Sequence, residues 1–342
     1  MNRSASLAAN PLISTWLTVH ADGTVILRVG KVELGQGIST ALAQIAIREL
    51  GLAPGSLVLA PPSTAESPDE NFTAGSLSTQ VSGAAVRAVC AAARRLFLAA
   101  AAAKAGAAAS SLTVEGGEFR TPDGEIVGSY GSLAAQVDLG VEADEPAEGP
   151  GADAQGPGDD GEPGLQRIDL PDKIFGRPRF IQDLELPGMR HARVIRPALL
   201  RAALRDIPAD ALAGLAPSAE VIRDGDFLAV LADREEVAAA AADRLSQRVT
   251  WAPAQDLPAE SRLADWLRTQ PSETSVLANE QRDSDPGQSR ETAVRASYSR
   301  GMLAHASIAT SCAVARFDGR VLEIWSHTQG IFPLRAAREG GQ

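Results

Sequence analysis

The sequence predicts a protein of mixed helices and short strands, and three observations carry that prediction. Apolar and polar residues alternate in several short runs, which is typical of strands. Two longer stretches have helical character, and one of them, about residues 80–108, is dominated by alanine. An acidic stretch rich in Gly and Pro separates these elements from a second group of strands and helices.

The N-terminal piece is predicted to be α/β. STWLTVHADGTVILRVG, residues 14–30, is typical of a hairpin with Ala-Asp-Gly at its turn. A helix is expected from about Ile38 to Leu50, ended by Gly51, and a short strand over residues 56–60. After the alanine-rich helix, SLTVEGGEFRTPDGEIV predicts a second hairpin that turns at Pro-Asp-Gly.

The acidic stretch is predicted to be a disordered linker over residues 139–165. Between residues 141 and 165 it holds eight acidic residues and no basic one, so it accounts for most of the formal net charge of −11. Few large apolar side chains are available there to offset the entropy of ordering, and the segment is interpreted as a passive tether. Because the charge is acidic and local, binding of the whole protein to nucleic acid is not expected.

The part after the linker is predicted to begin with strands and to end with a helix. FLAVLA, residues 227–232, is typical of a buried strand, and Asp233 is a candidate N-cap for the helix that follows. A polar connection is expected before a return to β structure. Further strands are predicted at Phe180–Leu184, at His191–Ile195, at AVRASYSR (293–300) and in a hairpin that turns at Asp318-Gly319.

Cysteine content and hydropathy exclude several classes of protein. Cys90 and Cys312 do not form a disulfide framework, and no Cys/His pattern for zinc or an iron–sulfur cluster is present. No apolar stretch reaches the ~18 residues of a membrane span. The N-terminus has no export signal, so a cytoplasmic location is expected.

The first candidate binding site is the turn Gly35-Gln36-Gly37 at the start of the Ile38 helix. Two glycines let the backbone approach a ligand, the helix N-terminus offers free N–H groups, and Gln36 offers an amide. The alternative is an ordinary tight strand-to-helix turn. The spacing matches neither a Walker A loop nor a dinucleotide-binding GxGxxG.

Two further stretches carry candidate site residues. FTAGSLSTQVSG places Thr73, Ser76, Ser78 and Thr79 at the start of the alanine-rich helix, where hydroxyl and N–H groups suit a phosphate. The alternative is N-capping by one of them, although a cap needs a single hydroxyl. WSHTQG ends an apolar strand in Gln329-Gly330, and strand ends often carry site residues.

Together with KIFGRPRFIQDLELPGMRHARVIRP and LAHASIATSCAVARFDG, these stretches resemble the molybdopterin-binding large subunit of the xanthine dehydrogenase/aldehyde oxidase family. The most similar branch is the isoquinoline 1-oxidoreductase β-subunit and nicotinate dehydrogenase type. The resemblance implies an α+β fold with five segments. They are a partial molybdopterin-binding module at 11–138, the linker at 139–165, a hammerhead α/β domain at 166–252, a connecting segment at 253–289 and the start of a second molybdopterin-binding module at 290–342.

The resemblance also implies a function. Such subunits hydroxylate a carbon of an N-heteroaromatic ring or an aldehyde with oxygen from water, and they pass electrons to a [2Fe-2S] partner subunit. The implied cofactor is molybdopterin cytosine dinucleotide with Mo, whose metal is held by the pterin, so no protein metal ligand is expected. The residues implied to bind it are Gly35, Gln36, Gly37, Thr73, Gly75, Ser76, Ser78, Thr79, Gln329 and Gly330.

The sequence departs from the family pattern at its C-terminal side. No Gly-Gly-Phe-Gly loop follows Gly330, and neither Glu33 nor Glu339 suits the role of the family's catalytic glutamate. Either a second chain completes the large subunit or the chain is truncated, and in both cases it is not expected to catalyse alone. The alternatives are a non-catalytic remnant or assembly protein of the same fold, and a protein that binds a phosphate-bearing metabolite.

Overall fold

A computed structural model describes residues 4–144, 166–198, 202–252, 258–278, 294–304 and 306–339. The chain divides into two compact units. The first contains Met1–Leu184 and Ser311–Gln342, and the second contains Glu185–Thr310. Helices and small sheets occur in both units, so the predicted mixture of α and β structure is confirmed.

The first unit opens with a three-stranded sheet in the order β1-β2-β3, in which β1 and β2 are antiparallel and β2 and β3 are parallel. The connection from β2 to β3 contains the helix α3. The elements are α1 (Ala5–Ala9), α2 (Ile13–Trp16), β1 (Leu17–Val19), β2 (Val25–Leu27), α3 (Ile38–Leu50) and β3 (Leu57–Leu59).

A long helix and an antiparallel meander complete this core. A π-helical turn at Thr79–Gly83 leads directly into α4, and the meander follows in the order β4-β5-β6. The rings of Phe97 and Phe119 each lie edge-on to Tyr130, at 4.8 and 5.0 Å between centroids. The elements are α4 (Ala84–Ala105), β4 (Thr113–Glu115), β5 (Glu118–Arg120), β6 (Ile126–Ser129) and α5 (Tyr130–Leu133).

The chain then forms a short helix of the first unit, α6 (Leu170–Ile174), and enters the second unit. There, the antiparallel sheet β7-β10-β9 packs its apolar side chains, among them Leu228 and Val230, against Leu245 of α8. The elements are β7 (His191–Ile195), β8 (Leu204–Asp206), α7 (Ala209–Ala213), β9 (Glu220–Asp224), β10 (Phe227–Ala232), α8 (Glu235–Ser246), β11 (Thr250–Trp251) and α9 (Leu263–Thr269).

The chain returns to the first unit as a hairpin and a helix. The hairpin strands are β12 (Ala313–Phe317) and β13 (Leu322–Ser326), and α10 covers Ile331–Glu339. Among the helices of the described residues, none is both long enough and apolar enough to cross a membrane.

Three local predictions after the linker are wrong. Phe180–Leu184 is not a strand: Ile181–Asp183 forms a single 3₁₀ turn, because the Asp183 carboxylate accepts the N–H groups of Arg179 and Phe180. Asp233 does not cap α8, since its carboxylate pairs with Arg190 at 3.0 Å. The described residues 294–300 form no strand.

The boundary of the N-terminal module also differs from the predicted residue 138. Residues 139–143 run beside α2, where the N–H of Ile13 donates to Val141 and the N–H of Ser14 donates to Leu139. Ala143 is fully buried. The predicted linker at 139–165 is therefore wrong over this first part, since backbone pairing orders a segment whose composition is polar. Its remainder, 145–165, lies outside the described residues.

Candidate binding groove

The glycine turn before α3 has the backbone geometry that the sequence requires. Gly35 and Gly37 have φ values of +101° and +83°, which side chains with a Cβ adopt only with strain. Gly37 is the N-cap of α3, and the helix begins at Ile38. Glycine at these two positions therefore permits the tight turn that leads into α3.

Glu33 occupies the N-terminus of α3. Its carboxylate accepts the backbone N–H groups of Gly35 at 2.8 Å, Gly37 at 2.9 Å and Ser39 at 3.1 Å. Partial burial raises the pKa of Glu33, but the hydrogen bonds from Gly37, Ser39 and Gly35 outweigh it and leave the pKa below its ordinary value. The N–H groups expected to meet a ligand here are thus bonded within the chain.

Gln36 lies at the surface of this turn and stabilises it with two hydrogen bonds. Its Oε1 accepts the N–H of Leu34 at 2.6 Å, and its Nε2 donates to the carbonyl of Val32 at 3.2 Å. An amide nitrogen carries two hydrogens, so one donor of Gln36 is left for another partner.

Buried hydrogen bonds join the loop before α3, at residues 31–32, to a second loop at residues 70–73. The Nζ of Lys31 donates to the carbonyls of Glu70 at 2.7 Å and Phe72 at 2.9 Å. The hydroxyl of Thr73, which is 4% exposed, accepts the N–H of Val32 at 3.0 Å. The sequence predicts that Thr73 binds a ligand through its hydroxyl, but in the structure that oxygen joins the two loops.

The start of the long helix is arranged differently. Gly75 and Ser76 both have positive φ, at +68° and +58°, and the chain then enters the π-helical turn. Ser78 stands at the N-cap position but makes no side-chain cap. Within the described part of the chain, the hydroxyls of Ser76, Ser78 and Thr79 have no hydrogen-bond partner. N-capping by one of these hydroxyls, the alternative interpretation of this stretch, is therefore not observed.

The two turns face each other across a groove of about 390 Å³. No charged side chain from the described residues lines it. Leu34, Ile38 and Ala41 contribute apolar surface. Six of the residues predicted from the sequence line the same groove: Gln36, Gly37, Thr73, Ser76, Ser78 and Thr79.

Gln329 and Gly330 lie beside the groove rather than in its lining. The N–H of Thr73 donates to the carbonyl of Gln329 at 2.6 Å. A Cβ on Gly330 would stand 2.9 Å from Cδ1 of Phe72 and 3.2 Å from the carbonyl of Asn71, so a larger residue would require the Phe72 ring and the Asn71 carbonyl to shift. Gly35 and Gly75 likewise shape the turns without lining the groove.

Comparison with known proteins identifies the class of the module that contains the groove. Residues 3–158 match a family model described as a molybdopterin cofactor-binding domain. A nicotinate dehydrogenase subunit of Pseudomonas putida is 31% identical over 342 residues, covering 95% of this chain and 28% of that protein. Aldehyde oxidase 4 of Cavia porcellus is 43% identical over 72 residues, covering 21% of this chain and 5% of that protein.

These similarities confirm the predicted resemblance to the xanthine dehydrogenase/aldehyde oxidase family of molybdopterin-binding proteins. The chain spans less than a third of the length of the curated relatives named above. Among solved structures, a Cu,Mo-CO dehydrogenase in its carbon monoxide reduced state is 28% identical and covers 37% of this chain and 17% of that chain, with a TM-score of 0.31. A likeness this low carries no weight for function.

Sequence patterns alone do not assign the roles that Glu33, Lys31 and Arg167 have in the structure. From the sequence, Glu33 is considered only as a catalytic base, although an acidic residue shortly before a helix is a known capping signal. Lys31 bonds to carbonyls 39 and 41 residues away along the chain, and Nη1 of Arg167 bonds to the carbonyl of Gly35, 132 residues away, which local patterns do not reveal.

Proposed function

We propose that this chain binds a molybdopterin cofactor in the groove and serves as the cofactor-binding component of a molybdenum hydroxylase. The observation that carries the proposal is the set of three unpartnered hydroxyls, on Ser76, Ser78 and Thr79, inside the segment matched by the cofactor-binding family model. When bound, such a cofactor supplies two-electron redox chemistry that hydroxylates a carbon with oxygen from water.

The residues present fit a polar, phosphate-bearing group. Hydroxyls at the start of a helix donate to phosphate oxygens, and the adjacent helix N-terminus favours negative charge. Gln36, which lines the groove, retains one amide donor, since its Oε1 and Nε2 are already bonded to Leu34 and Val32. Leu34, Ile38 and Ala41 offer the apolar contact that an aromatic ring system requires.

The finer expectations belong to the same proposal. We propose molybdopterin cytosine dinucleotide as the form of the cofactor, an N-heteroaromatic compound or an aldehyde as substrate, and a [2Fe-2S] subunit as electron acceptor. A second chain that carries the general base, and a cytoplasmic location, also remain proposals. The nicotinate dehydrogenase relative, which aligns along most of the chain, supports a heteroaromatic substrate.

The domain assignment is proposed on similar grounds. We propose that residues 166–252 correspond to a hammerhead domain and residues 290–342 to the start of a second molybdopterin-binding module. The compact unit Glu185–Thr310, with its sheet β7-β10-β9 and helix α8, supports the first assignment. The unit starts at Glu185 rather than at residue 166, and Arg167 and Ile168 bond to Gly35 and Thr40 of the first unit.

The test is the cofactor content of the protein. The chain is co-expressed with candidate [2Fe-2S] and completing subunits in a host that makes molybdopterin, and molybdenum, pterin and CMP are measured per chain. We expect close to stoichiometric cofactor in the wild type and a loss of most of it when Ser76, Ser78 and Thr79 are replaced together by Ala. Ser110→Ala, an exposed hydroxyl elsewhere in the same unit, is the matched control and should retain it.

A wild-type complex that contains neither molybdenum nor pterin would overturn the proposal. The same hydroxyls also favour a second candidate, a protein that captures a phosphate-bearing metabolite. Mass spectrometry of small molecules released from the purified chain separates the two functions, because the second predicts a bound metabolite without pterin or molybdenum.

A further inference from the structure

A segment from beyond the linker packs on the glycine turn. Nη1 of Arg167 donates to the carbonyl of Gly35 at 2.9 Å, and the N–H of Ile168 donates to Oγ1 of Thr40 at 3.1 Å. A Cβ on Gly37 would lie 3.7 Å from the same Nη1. Arg167 therefore contacts a turn that also contributes Gln36 and Gly37 to the lining of the groove.

The guanidinium of Arg167 is held in place by Asp169. Nε donates to Oδ1 at 2.9 Å and Nη2 donates to Oδ2 at 2.7 Å, which is a bidentate pair that fixes the plane of the guanidinium. Asp169 is 2% exposed and is also bonded to Nζ of Lys173 at 2.6 Å. A pair of this kind differs from an exposed ion pair, which usually contributes little.

Arg167 also reaches the carboxylate that holds the start of α3. Its Nη2 is 3.8 Å from Oε1 of Glu33, the oxygen that accepts the N–H groups of Gly35 and Gly37. Buried Asp169 thus holds Arg167, and Arg167 in turn contacts both the carbonyl of Gly35 and the Glu33 carboxylate that accepts the N–H of Gly35. Lysine cannot reproduce this arrangement, because only the planar fork of arginine serves the carboxylate and the carbonyl together.

We infer that Arg167 is a positioning residue for the cofactor-binding groove: it fixes the Gly35–Gly37 turn against Glu33. The inference rests on the proposed function for its cofactor part, while the effect on the turn stands on the contacts alone. It predicts that segment 167–173 is needed for a properly formed groove, although it follows the linker in sequence.

The experiment measures hydrogen exchange of the backbone amides of Gly35, Gly37 and Ser39 in the cofactor-free full-length chain. In Arg167→Met we expect these amides to exchange about tenfold faster, the change that corresponds to losing one charge-assisted hydrogen bond. Exchange in the middle of α4 should not change. Arg177→Met is the matched control, because Arg177 forms an exposed pair with Asp172 on the same segment.

A second readout is the cofactor content of the chain co-expressed with the same partner subunits. We expect Arg167→Met to lower it several-fold, Arg167→Lys to restore it only in part, and Arg177→Met to leave it unchanged. Unchanged exchange at Gly35, Gly37 and Ser39 in Arg167→Met overturns the inference. Should that variant fail to fold, the same measurement on Arg167→Lys decides.

The two proposals can fail separately. Faster exchange in Arg167→Met combined with a wild-type chain that never holds pterin would support the role of Arg167 in the turn and reject the proposed function. Unchanged exchange combined with normal cofactor loading of the wild type would reject the role of Arg167 in the turn and support the proposed function.

Discussion

The two helix N-termini that border the groove differ in whether their polar groups have hydrogen-bond partners within the chain. At α3, the carboxylate of Glu33 accepts three backbone N–H groups, and the turn is closed by the chain itself. At the start of α4, Ser78 makes no cap, and the hydroxyls of Ser76 and Thr79 have no partner among the described residues. From the sequence, the same property of helix N-termini predicts a ligand site at both starts.

The difference teaches that a helix N-terminus can offer its polar groups to a ligand only where the chain itself does not already bond them. We therefore propose that the α3 turn frames the groove and that the start of α4 contacts the cofactor. Three substitutions break or sharpen this comparison.

The largest loss of stability is expected at Gly30, where the loop before α3 meets the loop that contains Pro68 and Glu70. A Cβ on Gly30 would lie 2.3 Å from the carbonyl of Pro68 and 3.1 Å from Glu70. Gly30→Ala forces the loops apart, and we expect the free energy of unfolding to fall by about 3 kcal/mol, measured by urea denaturation. Gly55→Ala, whose Cβ would meet nothing within 4 Å, is the control and should have little effect. A Gly30→Ala protein as stable as the control would contradict the close approach.

A smaller effect is expected at the α3 turn. Glu33→Gln keeps one acceptor oxygen but turns an amide toward donors, so we expect the free energy of unfolding to fall by about 1 kcal/mol. Urea denaturation checks this value, and a variant of unchanged stability would show that the three hydrogen bonds contribute nothing.

The pH dependence of stability gives an independent check of Glu33. Its pKa in the folded chain lies below the ordinary value of 4.5, so the ionised form is favoured by folding. Its contribution is complete above about pH 4.5 and is lost as the pH falls through the folded-state pKa. Denaturation curves between pH 7 and pH 3 should therefore show a shallower loss of stability for Glu33→Gln than for the wild type. Parallel curves would contradict the assignment.

The smallest effect on stability is expected at the start of α4. An N-cap serine replaced by alanine typically costs ~1 kcal/mol, but Ser78 makes no cap hydrogen bond. We expect Ser78→Ala to change the free energy of unfolding by less than about 0.5 kcal/mol, measured by urea denaturation. A loss of about 1 kcal/mol would show that the hydroxyl caps the helix in solution and is not reserved for a ligand.

Much of the N-terminal fold could be predicted because its signals are local. The periodicity of residues 38–50 and the glycine that follows determine α3, which ends at Leu50 with Gly51 at φ +62° as expected. The Ala-Asp-Gly turn between β1 and β2 is a local signal of the same kind. For SLTVEGGEFRTPDGEIV, the predicted hairpin is correct only in part. A second turn at Gly116-Gly117 makes the segment three strands, β4-β5-β6, rather than two.

The site could be predicted only as far as its local signals reach. The two glycine-flanked helix starts indicated which loops would meet, and six of the predicted residues do share a groove. Which donors would remain free was not predictable, because the acceptor of the α3 N–H groups is a side chain that folds back on its own turn. The role of Thr73 depends on Val32, 41 residues away, and that of Arg167 depends on Gly35, 132 residues away.

The most direct test compares hydrogen exchange in the chain purified from a host that makes molybdopterin and from one that cannot. If the start of α4 contacts the cofactor and the α3 turn frames it, the amides of Ser78, Thr79 and Gln80 should gain protection in the loaded protein. Those of Gly35, Gly37 and Ser39 should be protected in both samples, because Glu33 already holds them. Protection gained at Gly35, Gly37 and Ser39 with none at Ser78, Thr79 and Gln80 would contradict the assignment of the two helix starts.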